Sequence, residues 1–257
     1  MYQAARPYRP ILSANNSDSS RPNPRRTIPL AAQFQVHLNP KTDQAFDDYR
    51  KAAEAKLDGR PRFPSGLKPG QVEIAPTNNV GSMDVKDGMI HDWTAAIVVP
   101  GGTVEKILAV LQNYADYKNI YRGDVTESKL LRRDGGLWQI HLRMAKKQIV
   151  TVVLNGDFDV QYRALGNNRW SVISRSTRIA ELDGNRELPP GTSRGFLWRI
   201  NAYWLIEQRP EGVYLECRAI SLSRAIPFGL GLAQPFLTTV PRESLQNTME
   251  ATRRALN

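Results

Sequence analysis

The last third of the chain limits the fold more than any other stretch. Two long alternating segments, Gly195 to Gln208 and Gly212 to Arg224, run through Ala225-Ile226-Pro227 into a proline-interrupted amphipathic segment that ends at Asn257. Alternation of large apolar with polar residues is the period-two signature of strands that put one face on a core. The Pro210-Glu211-Gly212 turn between them is long enough for a hairpin and too short for a crossover, so the pair is antiparallel. A sheet that feeds a terminal helix in this order makes a pocket between the two.

The same grammar extends upstream. Strands are predicted near 123–133, 137–147, 149–163 and 169–181, with Asp134-Gly135-Gly136 and Gly166-Asn167-Asn168 as hairpin turns. Ahead of them, His91 to Val99 reads as a strand stopped by Pro100-Gly101-Gly102. Thr103 then opens a helix. Its residues Val104, Ile107, Leu108, Leu111 and Tyr114 fall at i, i+3, i+4, i+7 and i+10, the stripe of a helix laid on a sheet. Burial of each large member contributes about 1.5–3 kcal/mol. Ala115 to Tyr121 reads as a short second helix or loop. At the other end, Pro241 suits a first helical position, and Leu245, Met249, Thr252 and Leu256 follow on one face. Pro235 and Pro241 split this segment into a short helix and a longer one.

Hydrophobic residues make up 41% of the 257, enough for a core, yet the first forty positions hold few of them, so the core lies downstream. Residues 1–33 combine Pro, Ser, Asn and Arg and read as a disordered basic tail, because such a composition buries too little surface to offset ordering entropy. Residues 34–63 form an N-terminal helical segment: a helix from Pro40, with Thr42 as N-cap, Phe46, Tyr49, Ala53 and Leu57 on one side, and Gly59-Arg60-Pro61 as its stop. Residues 64–89, rich in Gly, Pro and Asn, read as a linker or cover, and 90–257 as the compact domain.

The net charge is +10, and the tail, with five arginines against Asp18, supplies +4 of it. Basic surfaces attract polyanions without sequence specificity, so weak contact of the tail with anionic surfaces is expected and no specific nucleic acid is. Cys217 is the sole cysteine, which excludes an intramolecular disulfide and a thiolate metal cluster. His37, His91 and His141 are scattered without metal-ligand spacing, so neither a metal nor a cofactor is expected. No nucleophile elbow appears, and Gly229-Leu230-Gly231 lacks the rest of a dinucleotide fingerprint. Asp157 and Asp159 share one face of a strand and read as an outward polar face rather than an acid–base pair.

An order of strand, helix pair, six antiparallel strands and terminal helix resembles the START-like superfamily, also called SRPBCC, over residues 90–257, and most of all its uncharacterised secreted bacterial members. The parts that carry the resemblance are Thr103 to Tyr121, with the Asp116-Tyr117 exit, and Tyr203 to Pro227, a tryptophan-bearing strand, glycine turn and strand ending in Ile-Pro. The resemblance implies an α+β helix-grip fold: a curved antiparallel sheet of about seven strands around a long C-terminal helix, with a mostly apolar cavity between them. It further implies binding or transport of a hydrophobic small molecule such as a lipid, sterol, quinone or polyketide. The alternative is a polyketide cyclase or dehydratase working in the same cavity. Kinship with secreted members implies an export signal upstream of Met1. The basic N-terminal region and the insertion Arg186 to Gly191 depart from the family pattern.

With that layout, the ligand-binding residues are expected to be Tyr117, Tyr121, Trp138, Ile140, Leu142, Trp198, Trp204, Phe228 and Phe236, because large apolar and aromatic bodies grip apolar ligands. Each of these aromatic positions also fits plain core. His141 alternates with Trp138, Ile140, Leu142 and Met144 and therefore faces away. Arg143, Lys146, Lys147, Arg175 and Arg178 suit either an entrance for an anionic headgroup or a solvated sheet face.

Overall fold

The computed structural model describes residues 36–57, 59–63, 66–147, 151–189, 192–225 and 239–256. The expected tail and the two aromatics Phe228 and Phe236 lie outside them. The dominant element is a ten-stranded sheet in which every pairing is antiparallel.

In chain order, β1 (Val36–His37) and α1 (Pro40–Glu54) precede β2 (Glu73–Pro76), β3 (Ser82–Val85) and β4 (Gly88–Val99). Next come α2 (Val104–Gln112), a 3-10 turn (Tyr114–Asp116) and α3 (Tyr117–Ile120). The strands β5 (Val125–Asp134), β6 (Leu137–Lys147), β7 (Thr151–Gly166) and β8 (Arg169–Asp183) follow, then the short β9 (Arg186–Glu187) and β10 (Thr192–Ser193). The chain closes with β11 (Arg199–Arg209), β12 (Gly212–Arg224) and α4 (Val240–Arg254). The main path runs β2-β4-β12-β11-β8-β7-β6-β5, while β3 adds to β4 and β9 to β8; β1 and β10 pair separately.

Seven of the ten strands are those read from alternation. The added three, β2, β3 and β9, are short, and β2 and β3 come from the stretch read as linker or cover, where Gly and Asn mask a strand pattern of four residues. Register shifts between Asp157 and Phe158 on β7, and along β5 at Val125/Glu127 and Leu130/Arg132, mark bulges where strands bend and twist more sharply.

Both stripes seen in the sequence are buried. Val104, Ile107, Leu111 and Tyr114 of the α2 region, and Leu245 and Met249 of α4, join Ala95, Ile97, Val99, Trp204, Ile206 and Leu215 in one hydrophobic cluster on a single face of the sheet. Thr103 caps α2 by accepting from the Lys106 amide at 3.3 Å. α4 starts with Pro241 in its first turn, where a missing N–H costs nothing.

The opposite face is covered by α1. Phe46 and Ala53 pack on Ile90, Tyr203, Ile220 and Leu222. Ion pairs surround that contact: Arg199 bonds Asp43 at 2.8 Å, and Arg175 bonds Glu54 at 2.8 Å. Burial pushes the Glu54 carboxyl up, yet the Arg175 guanidinium and the Tyr203 hydroxyl bonded to it outweigh that and hold it below the usual range. The cap of α1 differs from expectation. Asn39 holds the Lys41 amide at 2.9 Å, whereas Thr42 sits inside and donates to the Lys86 carbonyl at 2.6 Å. Pro40 begins the helix at its own position, which moves the cap to the residue before it. α1 also ends at Glu54, so Leu57 is left exposed.

The hairpin from β11 to β12 needs its glycine. Gly212 has φ +144°, and a Cβ there would overlap the Val99 carbonyl oxygen on the neighbouring strand. Gly212→Ala is expected to cost about 1–3 kcal/mol, measured by urea unfolding; an unchanged midpoint would show that the turn relaxes freely.

Candidate functional site: a cavity between sheet and terminal helix

The side chains that β4, β6, β7, β8, β11 and β12 turn toward α4 do not fill the space beneath it. A cavity of about 320 Å³ remains. Its wall among the described residues is mostly apolar: Ile140, Leu142 and Met144 from β6, Phe158 and Val160 from β7, Trp204 from β11, and Leu245 from α4. A space of this size lined by apolar and aromatic groups, with a few polar atoms set into it, is the usual form of a small-molecule site.

One end is a tyrosine cluster whose hydroxyls are engaged in the protein. Tyr117 and Tyr162 both donate to the Leu111 carbonyl, at 2.6 and 2.7 Å, the Tyr114 and Tyr162 hydroxyls are 2.6 Å apart, and Tyr121 meets Thr252 at 3.1 Å. Leu111 is in the last turn of α2, so its carbonyl is one of those a helix end leaves without an intrahelical partner. Burial pushes the Tyr114 phenol up to about 12 and raises those of Tyr117, Tyr121 and Tyr162 further, so all four are neutral. The cluster therefore offers ring surface to the cavity.

A polar corner is set in the wall where β4 begins and β12 ends. His91 lines the cavity with 2% of its surface exposed, Ser221 stands across the ladder from it, and His91 Nε2 lies 3.0 Å from Ser223 Oγ. Burial depresses the imidazole to about 4, so the ring is neutral near pH 7. At the rim, Lys146 pairs with Asp124 at 3.2 Å, and Asn247 of α4 donates to the other Asp124 oxygen at 3.3 Å.

Of the residues expected from the sequence, Tyr117, Tyr121, Ile140, Leu142 and Trp204 stand together on this wall. Trp138 and Trp198 do not. Trp138 is at the start of β6, packed between Tyr114 and Tyr162 with the Arg133 guanidinium 4.2 Å above its ring, where it closes core. Trp198 precedes β11, which begins at Arg199 rather than near Gly195, so alternation does not extend to it. It turns to the α1 face and donates to Ser193 Oγ at 2.8 Å. His141 faces away from the cavity, its Nδ1 2.6 Å from Asp157. Arg143, Arg175 and Arg178 form ion pairs with Glu127, Glu54 and Asp157, and Lys146 is the member of the expected basic set that reaches the cavity wall.

His91, Trp93, Tyr114, Phe158 and Tyr162 also line the cavity without having been singled out. The two on β4 share the parity of Ala95, Ile97 and Val99, but that strand is buried on both faces, so its pattern does not say which parity meets the cavity. Among the described residues, no three His, Cys, Asp or Glu side chains come together as a metal-binding group, and no helix is long and apolar enough to cross a membrane.

An antiparallel sheet gripping a C-terminal helix over an apolar hollow defines a helix-grip protein of the START-like layout. No protein-family model matches the chain, and no curated protein does. Among solved structures it is similar to a STAR-related lipid transfer protein fragment from Xanthomonas axonopodis, with TM-score 0.48, 15% identity and coverage of 68% of this chain and 98% of that one. It is also similar to the Zhui aromatase/cyclase from Streptomyces, with TM-score 0.45, 12% identity and coverage of 65% and 93%. Human StAR-related lipid transfer protein 5 aligns with TM-score 0.44 and 10% identity over 84% of this chain and 96% of that one.

Proposed function

We propose that this protein binds and carries a hydrophobic small molecule in the space between the sheet and α4. The observation that supports the reading is the cavity of about 320 Å³, walled by aromatic rings and aliphatic side chains with its tyrosine hydroxyls already satisfied inside the protein. An apolar guest entering such a space exchanges water contact for dispersion contact and needs few polar partners. The cyclase alternative calls for a carboxylate poised inside the pocket. Among the described residues the wall carries Asp124, which sits at the rim and is tied to Lys146 and Asn247.

Delipidated protein titrated with the neutral fluorophore N-phenyl-1-naphthylamine is expected to show a saturable rise in emission that long-chain lipids reverse. Trp204→Ala should weaken binding roughly tenfold or more by removing a wall of the site. Ala219→Phe, which puts a ring into the hollow, should abolish it with the fold intact by circular dichroism. Binding that does not saturate, or that survives Ala219→Phe unchanged, would count against the cavity as the site.

The Arg-rich tail has its own test, since an electrostatic footprint should vanish with the arm. Retention of the full chain on heparin is expected to fall steeply with salt and to be lost when residues 1–33 are removed. Equal retention of the two forms would rule out the tail as the contact.

A further inference from the structure

We propose that the cavity takes apolar molecules bearing a carbonyl oxygen and holds that oxygen over a trough floored by Ala202 and Ala219. The inference rests on the carrier reading above and names the chemical class of its ligand.

Strand register lays out the floor. Ala219 of β12 stands opposite Ala202 of β11, and Ala202 stands opposite Ser174 of β8. Residues paired across a ladder share a face, so this row presents two methyl groups and then a hydroxyl, and all three residues line the cavity. Ser221 is two residues along β12 from Ala219, in the row of Ile200, and Trp204 is two residues along β11 from Ala202, in the row of Cys217, on the other side. The alanines therefore make a low strip with Ser174, Ser221 and Trp204 at its margins. Neighbouring strands lie about 4.8 Å apart. An oxygen resting on the two alanines is one strand spacing from Ser174 and one side-chain repeat from Ser221 and Trp204.

These margins carry open hydrogen-bond donors. Among the described residues the Ser174 and Ser221 hydroxyls and the Trp204 indole N–H make no hydrogen bond, although Ser221 is only 6% exposed and Trp204 9%. The Trp93 indole at the Ala219 end of the row is open too, with its ring leaning on Gly81, and so is the Ser244 hydroxyl on α4. The other polar groups of the wall are taken. The tyrosine hydroxyls are bonded within the protein, Thr248 donates to the Ser244 carbonyl at 2.8 Å, and Lys146 holds Asp124. His91 turns no polar atom to the hollow: Nε2 meets Ser223, and Nδ1 has essentially no accessible surface.

The open set is rich in hydrogens. An indole N–H can only donate, and a serine hydroxyl can always do so. A carbonyl oxygen has two lone pairs and no hydrogen of its own to place, so it satisfies such donors directly. A hydrocarbon of the same shape displaces the water they would otherwise bond and leaves them unmet. The rest of the wall, being apolar, receives the body of either molecule.

The test compares 9-fluorenone with fluorene, which share a ring skeleton and differ in the carbonyl, on the delipidated full chain. Affinities come from displacement of N-phenyl-1-naphthylamine. Replacing both hydroxyls, by Ser174→Ala with Ser221→Ala, should weaken fluorenone about tenfold relative to fluorene, the size of one lost hydrogen bond. Taking the ratio within each protein cancels the different hydration of the two probes and any general change in the wall. Independently of any variant, the infrared carbonyl stretch of fluorenone bound to the wild type should fall below its position in hexane, because hydrogen bonding weakens the C=O bond. In the double variant it should move back toward hexane. A bound carbonyl stretch at the hexane position, or equal weakening of the two probes in the double variant, would overturn the proposal and leave the carrier reading standing. Saturable binding of neither probe nor the fluorophore would overturn both.

Discussion

Replacing Arg218 by alanine is expected to destabilise the protein by about 3–5 kcal/mol, because it leaves a buried carboxylate without its charge partner. Arg218 lies on the α1 face of β12 and grips Asp92 of β4 with two bonds, Nε at 2.9 Å and Nη2 at 2.6 Å. Asp92 has 0% of its surface exposed, and its second oxygen also accepts from the Tyr49 hydroxyl of α1 at 2.7 Å. Without the guanidinium, a carboxylate in this position keeps one phenol for company and no water. The alternative of protonating it costs stability as well. The same cluster fixes where α1 lands, because Tyr49 is the helix's contribution to it. Burial and the Asp92 bond together push the Tyr49 phenol up to about 12.

Urea denaturation measures the loss, and an apolar double replacement of Asp92 and Arg218 should recover most of it, since removing both charges leaves nothing unpaired. Exposure is what decides the size. The Arg132–Asp134 pair has similar geometry, 2.9 Å, but both side chains are mostly in solvent, and Arg132→Ala should change stability by less than about 0.5 kcal/mol. A loss below 1 kcal/mol for Arg218→Ala would mean that water reaches Asp92 when the guanidinium is gone.

The second large effect concerns acid. His91 takes up a proton at about 4 in the folded protein against 6.5 for an ordinary histidine, and burial is the cause. As pH falls below 6.5 the unfolded chain binds this proton while the folded chain does not, so folding stability declines. The decline continues until about pH 4 and levels off below it. Two and a half units correspond to on the order of 3 kcal/mol. His91→Gln has no such group to titrate. Its unfolding free energy should therefore fall less than the wild type's between pH 6.5 and pH 4, by roughly that amount, while the carboxylates contribute alike to both. Parallel curves for the two proteins would show that the ring charges in place without penalty.

These two effects come from residues that sequence reading treats very differently from how the fold uses them. Asp92 and His91 are adjacent on one strand and face opposite sides, one into the α1 contact and one into the cavity wall. From the sequence, His91 is a scattered histidine at a strand edge and Asp92 an unremarked acid beside it. Alternation along β6 does identify Ile140, Leu142 and Met144 as one face and His141 as the other, because that strand has a solvated side to supply the contrast. β4 has none: nine of its last ten residues are buried whichever way they point, so period two carries no sign there.

Trp198 and Trp138 show two further reasons why a residue's type and spacing do not give its role. The first depends on where a strand begins, which Gly195 with φ +78° and the bend after it decide, and the second on how far along the sheet a residue sits from the hollow. Thr42 shows the reverse case, a good capping residue drawn inside because Pro40 had already started the helix.

What the chain determined by itself is the local and periodic part: seven long strands with tight turns between them, the α2 stripe from Val104 to Tyr114, and a terminal helix entered through Pro241 with Leu245 and Met249 inward. Those follow from backbone stereochemistry and from the period at which apolar groups recur, both readable over a few residues. Tertiary structure alone decided that the inward faces stop short of filling the interior, that the Tyr117 and Tyr162 hydroxyls close on the Leu111 carbonyl, and that His91 is buried in the wall with its Nδ1 left without a partner. Volume left unfilled and polar atoms left unpaired are sums over many distant residues, and no window of sequence contains them.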